Sequence, residues 1–363
     1  MTKRATLADV ARLAGMSPTT VSMVLNDRPN SRLSPETAER VRAAATELNY
    51  RPNPAARGLR VGKTRTVGFI SDEVTITRYA SALIRGLLEG AEARDHTVLI
   101  AESGRRPERI ANAVDMMMDR SADGIIFGLM GAKLIDVPTI SDVPVVIVNG
   151  RSSAGYPCVL PDEFQAGYEA VRHLLDRGHH RIALIGRSDA LINPALSVTI
   201  PIRYSGLDAA MSEAGLTFTT EIEGMYWEPD LGYRGANEIL DHNDVTAVIA
   251  ANDRIAFGVY QAAQERGFRV PEDLSVISFD DEYLASYLHP GLTTMRIPYL
   301  EMGRIAMDLV LDGNAPADTL VPMPLQNRDS VRSLGGNAAA ASHQFLAAPS
   351  TRSARAHPAR TQP

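Results

Sequence analysis

Seven short apolar runs punctuate most of the chain: TVGFIS (66–71), TVLIA (97–101), GIIFG (124–128), PVVIVN (144–149), RIALIG (181–186), TAVIAA (246–251) and LSVISF (274–279). Helical periodicity fills the gaps between them, as at 80–94, 107–120, 163–177, 203–214, 254–267 and 299–312. Continuous apolar strands separated by helices specify parallel sheets covered on both faces. About 260 residues of this pattern exceed the needs of one sheet, so the spacing predicts a two-lobed α/β body over 63–330. Pro-containing segments near 157–163 and 288–298 read as crossings between lobes. They divide the body into an N-lobe (about 63–160 plus 291–325) and a C-lobe (about 161–290).

The first fifty residues follow another rule. Leu7, Val10, Ala11 and Ala14 fall at helical spacing, and Gly15 suits the left-handed turn that ends such a helix. Ser17 is a strong N-cap, with Pro18 at the first helical position. The helix from Pro18 to Leu25 turns Val21 and Val24 inward and leaves Thr19, Thr20, Ser22 and Met23 outward. A third helix begins at Ser34 and runs from Pro35 to Leu48. Helix, glycine turn and polar-faced second helix make a small all-α helix-turn-helix domain at 1–50.

Charge supports the division. Residues 1–60 hold 10 Lys/Arg against 5 Asp/Glu, whereas 61–330 hold 23 against 38. A basic module on an acidic body points to a polyanion contacted only locally. Residues 331–363, Ala/Ser/Arg/Pro-biased with four arginines and no acid, read as a disordered tail. Cys158, the single cysteine, excludes an internal disulfide and reads as a buried small hydrophobe in a reducing compartment. No stretch approaches the roughly twenty apolar residues of a membrane span, and the N-terminus has no secretory-signal pattern, so a cytoplasmic location is expected. His179 and His180 are adjacent with no partners at ligand spacing, so neither a metal nor a cofactor is expected.

TLADVARLAGMSPTTVSMVLN, followed by SPETAERVRAAATELNYRPNPAARGLR, resembles the lactose-repressor (LacI) family of bacterial regulators. The resemblance resumes in GHHRIALIG (178–186), AANDRIAFGVYQAAQERGFRVPEDLSVISFDDEYLA (250–285) and LTTMRIPYLEMGRIAMDLVL (292–311). It implies that Ser17, Thr20, Ser22 and Asn26 contact phosphate or brace the recognition helix, while Pro18, Thr19 and Met23 read base edges. The family often carries a basic, amide or His side chain at the position of Met23, which can only pack on a thymine methyl.

Residues 51–62 match the family's hinge. Eight residues, Asn53 to Arg60, are too few for an isolated helix, and Gly58 weakens it further. The resemblance implies that two such segments of a homodimer fold together in the minor groove of operator DNA, with Leu59 as an apolar wedge beside Ala56.

The body resembles the periplasmic sugar-binding fold, with a ligand between the lobes beyond the carboxyl ends of strands. Strand-end polar residues are therefore candidates: Asp72, Asn149 and Arg151, Asn252-Asp253, and Asp280-Asp281. Family position favours Asp72, Asn149, Arg203, Trp227, Asn252 and Asp280 as effector contacts, with Tyr79 a second aromatic candidate. Arginine, carboxylates and amides suit vicinal hydroxyls, and an aromatic ring offers a stacking face. Asn252 and Asp281 read equally well as helix caps. Helix 80–94 is expected to contribute to a dimer interface.

The expectation is a ligand-responsive DNA-binding regulator, a repressor of carbohydrate-utilisation genes released by a sugar-like effector. Pentose, hexose, glucoside, nucleoside and purine all remain open as that effector. An exported sugar-binding protein would share the body but require a signal peptide. An enzyme would require a catalytic constellation, and no phosphate-cradling glycine loop or GxSxG elbow is visible.

Overall fold

The computed structural model describes residues 5–26, 33–50, 64–75, 79–104, 106–242, 244–313, 316 and 318–334. The hinge, with Ala56 and Leu59, lies outside the described residues, as does the side chain of Tyr79.

Three helices, α1 (Leu7–Ala14), α2 (Pro18–Leu25) and α3 (Pro35–Glu47), enclose Val10, Ala14, Val21, Val24, Val41 and Ala44. Thr6 and Asp9 form a reciprocal capping box at the start of α1. Gly15 ends α1 at φ 64°, in the left-handed region. Arg40 of α3 donates to the Ala14 carbonyl at 2.9 Å, satisfying an end of α1 and fixing its angle to α3.

The body contains two six-stranded sheets. In the first, β1 (Thr66–Ser71), β2 (Thr97–Glu102), β3 (Gly124–Gly128), β5 (Val145–Val148), β7 (Cys158–Pro161) and β13 (Asp318–Val321) lie in the order β13-β7-β5-β3-β1-β2, all parallel. Helices α4 (Tyr79–Ala93) and α11 (Tyr299–Asp312) bury Leu83, Leu87, Met302 and Met307 against one face. Helix α5 (Pro107–Asp119) covers the other, through Val114 and Met117. A short ribbon, β4 (Leu134–Ile135) with β6 (Arg151–Ser152), lies beyond the strand ends.

The second sheet comprises β8 (Ile182–Arg187), β9 (Thr220–Glu223), β10 (Ala247–Ala250), β11 (Ser275–Asp280), β12 (Thr293–Arg296) and β14 (Leu325–Gln326), ordered β14-β12-β11-β10-β8-β9. Only β14 runs antiparallel. Helices α6 (Glu163–Leu175) and α7 (Ile200–Glu213) pack on one face; α8 (Pro229–His242) and α9 (Asp253–Glu265) pack on the other, and the short α10 (Tyr283–Tyr287) follows β11.

All seven apolar runs form strands, but two boundaries move. Residues 293–296, expected in the N-lobe, pair with Ile277–Asp280 of the second sheet, so the chain returns to the first lobe at 297–298. Thr293, Thr294 and Met295 are wholly buried there; a run beginning with two threonines carries no apolar signature of its own. The tail's first residues are also held. Leu334 donates to the Arg177 carbonyl at 2.8 Å, and buried His179 bonds the Arg332 carbonyl at 2.9 Å. Residues 335–363 lie outside the described residues.

Candidate functional site

The exposed end of α2 is built by local chemistry. Ser17 Oγ accepts from the Thr20 amide at 3.1 Å and lies 2.9 Å from Thr20 Oγ1. Asn26 Nδ2 donates back to the Ser22 carbonyl at 2.6 Å, closing the far end. These residues therefore brace the helix in the free protein. Pro18 and Thr19 are exposed, and Met23 is half-buried.

Between the lobes lies a cavity of about 290 Å³. Its first-lobe wall comprises Met130, Gly131, Ala132 and Asn149 from the loops after β3 and β5. Its second-lobe wall carries Arg203, Trp227, Asn252 and Asp280, with Ile297 and Tyr299 at the crossing. Five favoured residues thus converge: Asn149, Arg203, Trp227, Asn252 and Asp280. The loops also meet across the cleft: Val198 donates to the Ala132 carbonyl at 2.6 Å and Leu134 to the Pro194 carbonyl at 2.8 Å.

Arg203 is 1% exposed, on the first turns of α7. Its Nε and Nη2 donate to Glu163 Oε2 and Oε1 at 2.6 and 2.9 Å, and Nη1 donates to the Ala251 carbonyl at 2.7 Å. Burial opposes the guanidinium charge, but attraction and hydrogen bonding to Glu163 outweigh it and raise the Arg203 pKa. The guanidinium lies 4.1 Å from the Phe279 ring centre and 5.9 Å from that of Trp227. Of its five N–H groups, one on each terminal nitrogen remains for a ligand.

Trp227 is fixed by its indole N–H, which donates to the Gly186 and Gly224 carbonyls at 2.9 and 3.1 Å. Asn149 adopts φ 55° and donates to the Leu129 carbonyl at 2.8 Å. Asn252 caps α9, accepting from the Ile255 amide at 2.9 Å while donating to the Trp227 carbonyl at 3.2 Å. It therefore positions Trp227 as well as lining the cavity. Asp280, at φ 105°, is half-buried at the end of β11.

Asp72 does not join this set. Its Oδ1 accepts from the Met130 amide at 3.0 Å and its Oδ2 pairs with Lys133 at 2.9 Å, bracing from behind the loop that forms the wall. Arg151 turns outward to a two-point pair with Asp318. Asp281 pairs with Arg328 at 2.6 Å instead of capping. Asp253 is buried beneath the site, accepting from Ser278, Thr294 and the Glu282 amide at 2.6, 2.8 and 2.6 Å.

Sequence reasoning missed Glu163, buried Thr199 and Ser197, and Tyr299. Only Glu163 left a trace, as an acidic residue opening a helix just after a strand; its partner is forty positions away. Among the described residues, no group of three His, Cys, Asp or Glu is placed to hold a metal, and no helix is long and apolar enough to cross a membrane.

Residues 6–53 match the bacterial regulatory proteins of the lacI family, and residues 171–331 match a periplasmic binding protein-like domain. The HTH-type transcriptional repressor PurR of Haemophilus influenzae (strain PittEE) is 31% identical over 318 residues, covering 85% of this chain and 90% of the relative. Catabolite control protein A of Priestia megaterium is 34% identical over 312 residues, 84% of this chain and 91% of the relative. A crystal structure of the Lac repressor dimer bound to operator and the anti-inducer ONPF superposes with a TM-score of 0.73 at 27% identity, covering 91% of this chain and 100% of that one. A helix-turn-helix domain and a two-lobed sensing body in this order make a ligand-responsive DNA-binding transcriptional regulator, and the chain belongs to the lacI family of bacterial regulatory proteins.

Proposed function

We propose that this regulator is a homodimeric, non-enzymatic repressor of carbohydrate-utilisation genes that leaves its operator when a sugar-like effector binds between the lobes. The interlobe cavity carries this reading. Its polar wall pairs a clamped guanidinium with Asp280 and two amide side chains, matching the mixed donors and acceptors of a sugar's hydroxyls, and Trp227 supplies a stacking face. The Lac repressor structure, solved as a dimer on operator with an anti-inducer, supports the same arrangement of partners.

In this reading α2 reads the major groove through Pro18, Thr19 and Met23. Segment 53–60, outside the described residues, couples the body to DNA: closure of the lobes separates the paired hinges, which lose their helical form and release the operator. Leu59, flanked by Ala56, is assigned the minor-groove wedge.

The test is operator binding by fluorescence anisotropy across a salt series and a panel of sugars and nucleosides. Affinity should fall steeply as salt rises, and one sugar should release the DNA while raising the melting temperature. Arg203→Ala should abolish the sugar response yet retain operator binding. Leu59→Ala should weaken specific binding more than nonspecific binding. A response confined to nucleosides, or no affinity for any duplex at low salt, overturns the proposal.

A further inference from the structure

Burial orders the lining of the interlobe cavity in an unusual way. Three of its polar residues, Asn149, Arg203 and Asn252, are no more than 6% exposed, whereas its apolar residues Leu196 and Met225 are 47% and 39% exposed. Polar groups therefore form the floor and apolar residues the mouth, with half-buried Leu191, Trp227 and Ile297 between them. The chain beside the mouth continues the apolar surface: Ile192 is 59% exposed and Tyr226 78%. Large apolar side chains gathered in the open around a polar cleft mark a place that something apolar covers.

The mouth is held in place. Residues 188–199, between β8 and α7, form a strap across to the first lobe. The Pro194 carbonyl accepts from the Leu134 amide at 2.8 Å, and the Val198 amide donates to the Ala132 carbonyl at 2.6 Å. Leu196 sits midway between these two bonds. Next to it, Ser197 Oγ accepts from the Ile200 amide at 3.0 Å, tying the strap to the start of α7, the helix that carries Arg203.

Size and charge narrow the occupant. The cavity of about 290 Å³ is roughly twice the 150 Å³ that accommodates benzene, so it takes two six-membered rings. Its charged residues are two carboxylates, Glu163 and Asp280, against the single guanidinium of Arg203, which Glu163 already neutralises. A phosphorylated sugar is therefore disfavoured. A second sugar ring at the mouth would set its hydroxyls against Leu196 and Met225, which return no hydrogen bond.

We propose that the effector is a glycoside with an uncharged aromatic aglycone, its sugar on the floor of Asn149, Arg203, Asn252 and Asp280 and its aglycone against Leu191, Leu196 and Met225. This rests on the sugar-effector reading and adds the chemistry of the other half of the molecule. Because the aglycone lies against a strap bonded to the first lobe, its burial adds to the force holding the lobes together.

The experiment is calorimetric titration of the full chain with the methyl and phenyl glycosides of glucose, galactose and xylose, in both anomers, and with cellobiose and lactose. Within the sugar series that binds, the phenyl glycoside should bind at least about tenfold more tightly than the methyl glycoside. Leu196→Ser and Met225→Ser, both at exposed positions, should each cut that phenyl-to-methyl ratio at least about threefold, and the double variant should bring it close to one. Equal affinity for methyl and phenyl glycosides, a disaccharide that outbinds the phenyl glycoside, or a ratio unmoved by the double variant overturns this proposal and leaves the sugar reading standing. Failure of every series to bind overturns the sugar reading and this proposal with it.

Discussion

Glu163 grips Arg203 with both carboxylate oxygens, and their side chains are 3% and 2% exposed. The pair joins the first turn of α6 to the first turns of α7, and it holds the one guanidinium of the interlobe wall on the effector side of Phe279. Removing either partner leaves a buried charge alone. Glu163→Ala and Arg203→Ala should each destabilise the protein by about 3–5 kcal/mol in urea unfolding, and Arg203→Met/Glu163→Leu should recover most of that loss. Equal instability of the single and double variants would show that the pair is not what stabilises this wall.

Helices α6 and α7 touch at glycines. A methyl at Gly167 would stand 2.4 Å from the Arg203 carbonyl oxygen, and one at Gly206 would stand 2.0 Å from that of Phe164. The backbones must part to admit either. Gly167→Ala should lower stability by about 1–3 kcal/mol and displace Arg203 enough to weaken effector binding, although no ligand contact is altered. Thermal melts with and without effector separate the two effects.

Asp253 sets a pH dependence. Burial, reinforced by the neighbouring Asp280 charge, pushes its pKa up to about 8, against about 3.9 for an unfolded chain. The folded state therefore holds a proton that the unfolded state releases. This contribution is fully present below about pH 4 and is lost as pH rises through about 8. Asp253→Asn, which keeps a carbonyl for Ser278 and Thr294 but loses the acceptor of the Glu282 amide, should flatten the stability profile between about pH 4 and 8. An unchanged slope between about pH 5 and 8 in denaturant titrations would remove Asp253 as its source.

Capping and DNA contact can be separated on α2. Ser17→Ala removes the acceptor for the Thr20 amide and should cost the helix-turn-helix domain about 1 kcal/mol together with operator affinity. Thr19→Ala touches an exposed side chain and should leave the melting temperature unchanged while weakening operator binding. A shift in melting temperature for Thr19→Ala would mean that it supports the fold.

What the sequence alone determined is what forms over a few residues. The Thr6–Asp9 box, the Ser17-Pro18 helix start and the Gly15 turn each need only neighbours three or four positions away. Six of the seven strands announce themselves because both faces are covered, which demands unbroken apolar runs; the seventh, edge strand β2, is only half-buried, with Ile100 45% exposed. The convergence of Asn149, Arg203, Trp227, Asn252 and Asp280 followed from strand ends and family position. Only the tertiary structure decided which lobe takes Thr293–Arg296, because its threonines are buried by pairing with β11. It alone placed Asp72 behind the wall, drawn to Met130 and Lys133, and joined Glu163 to Arg203. Partners separated by forty to sixty positions leave no periodicity, and a buried charge chooses its partner by proximity in space.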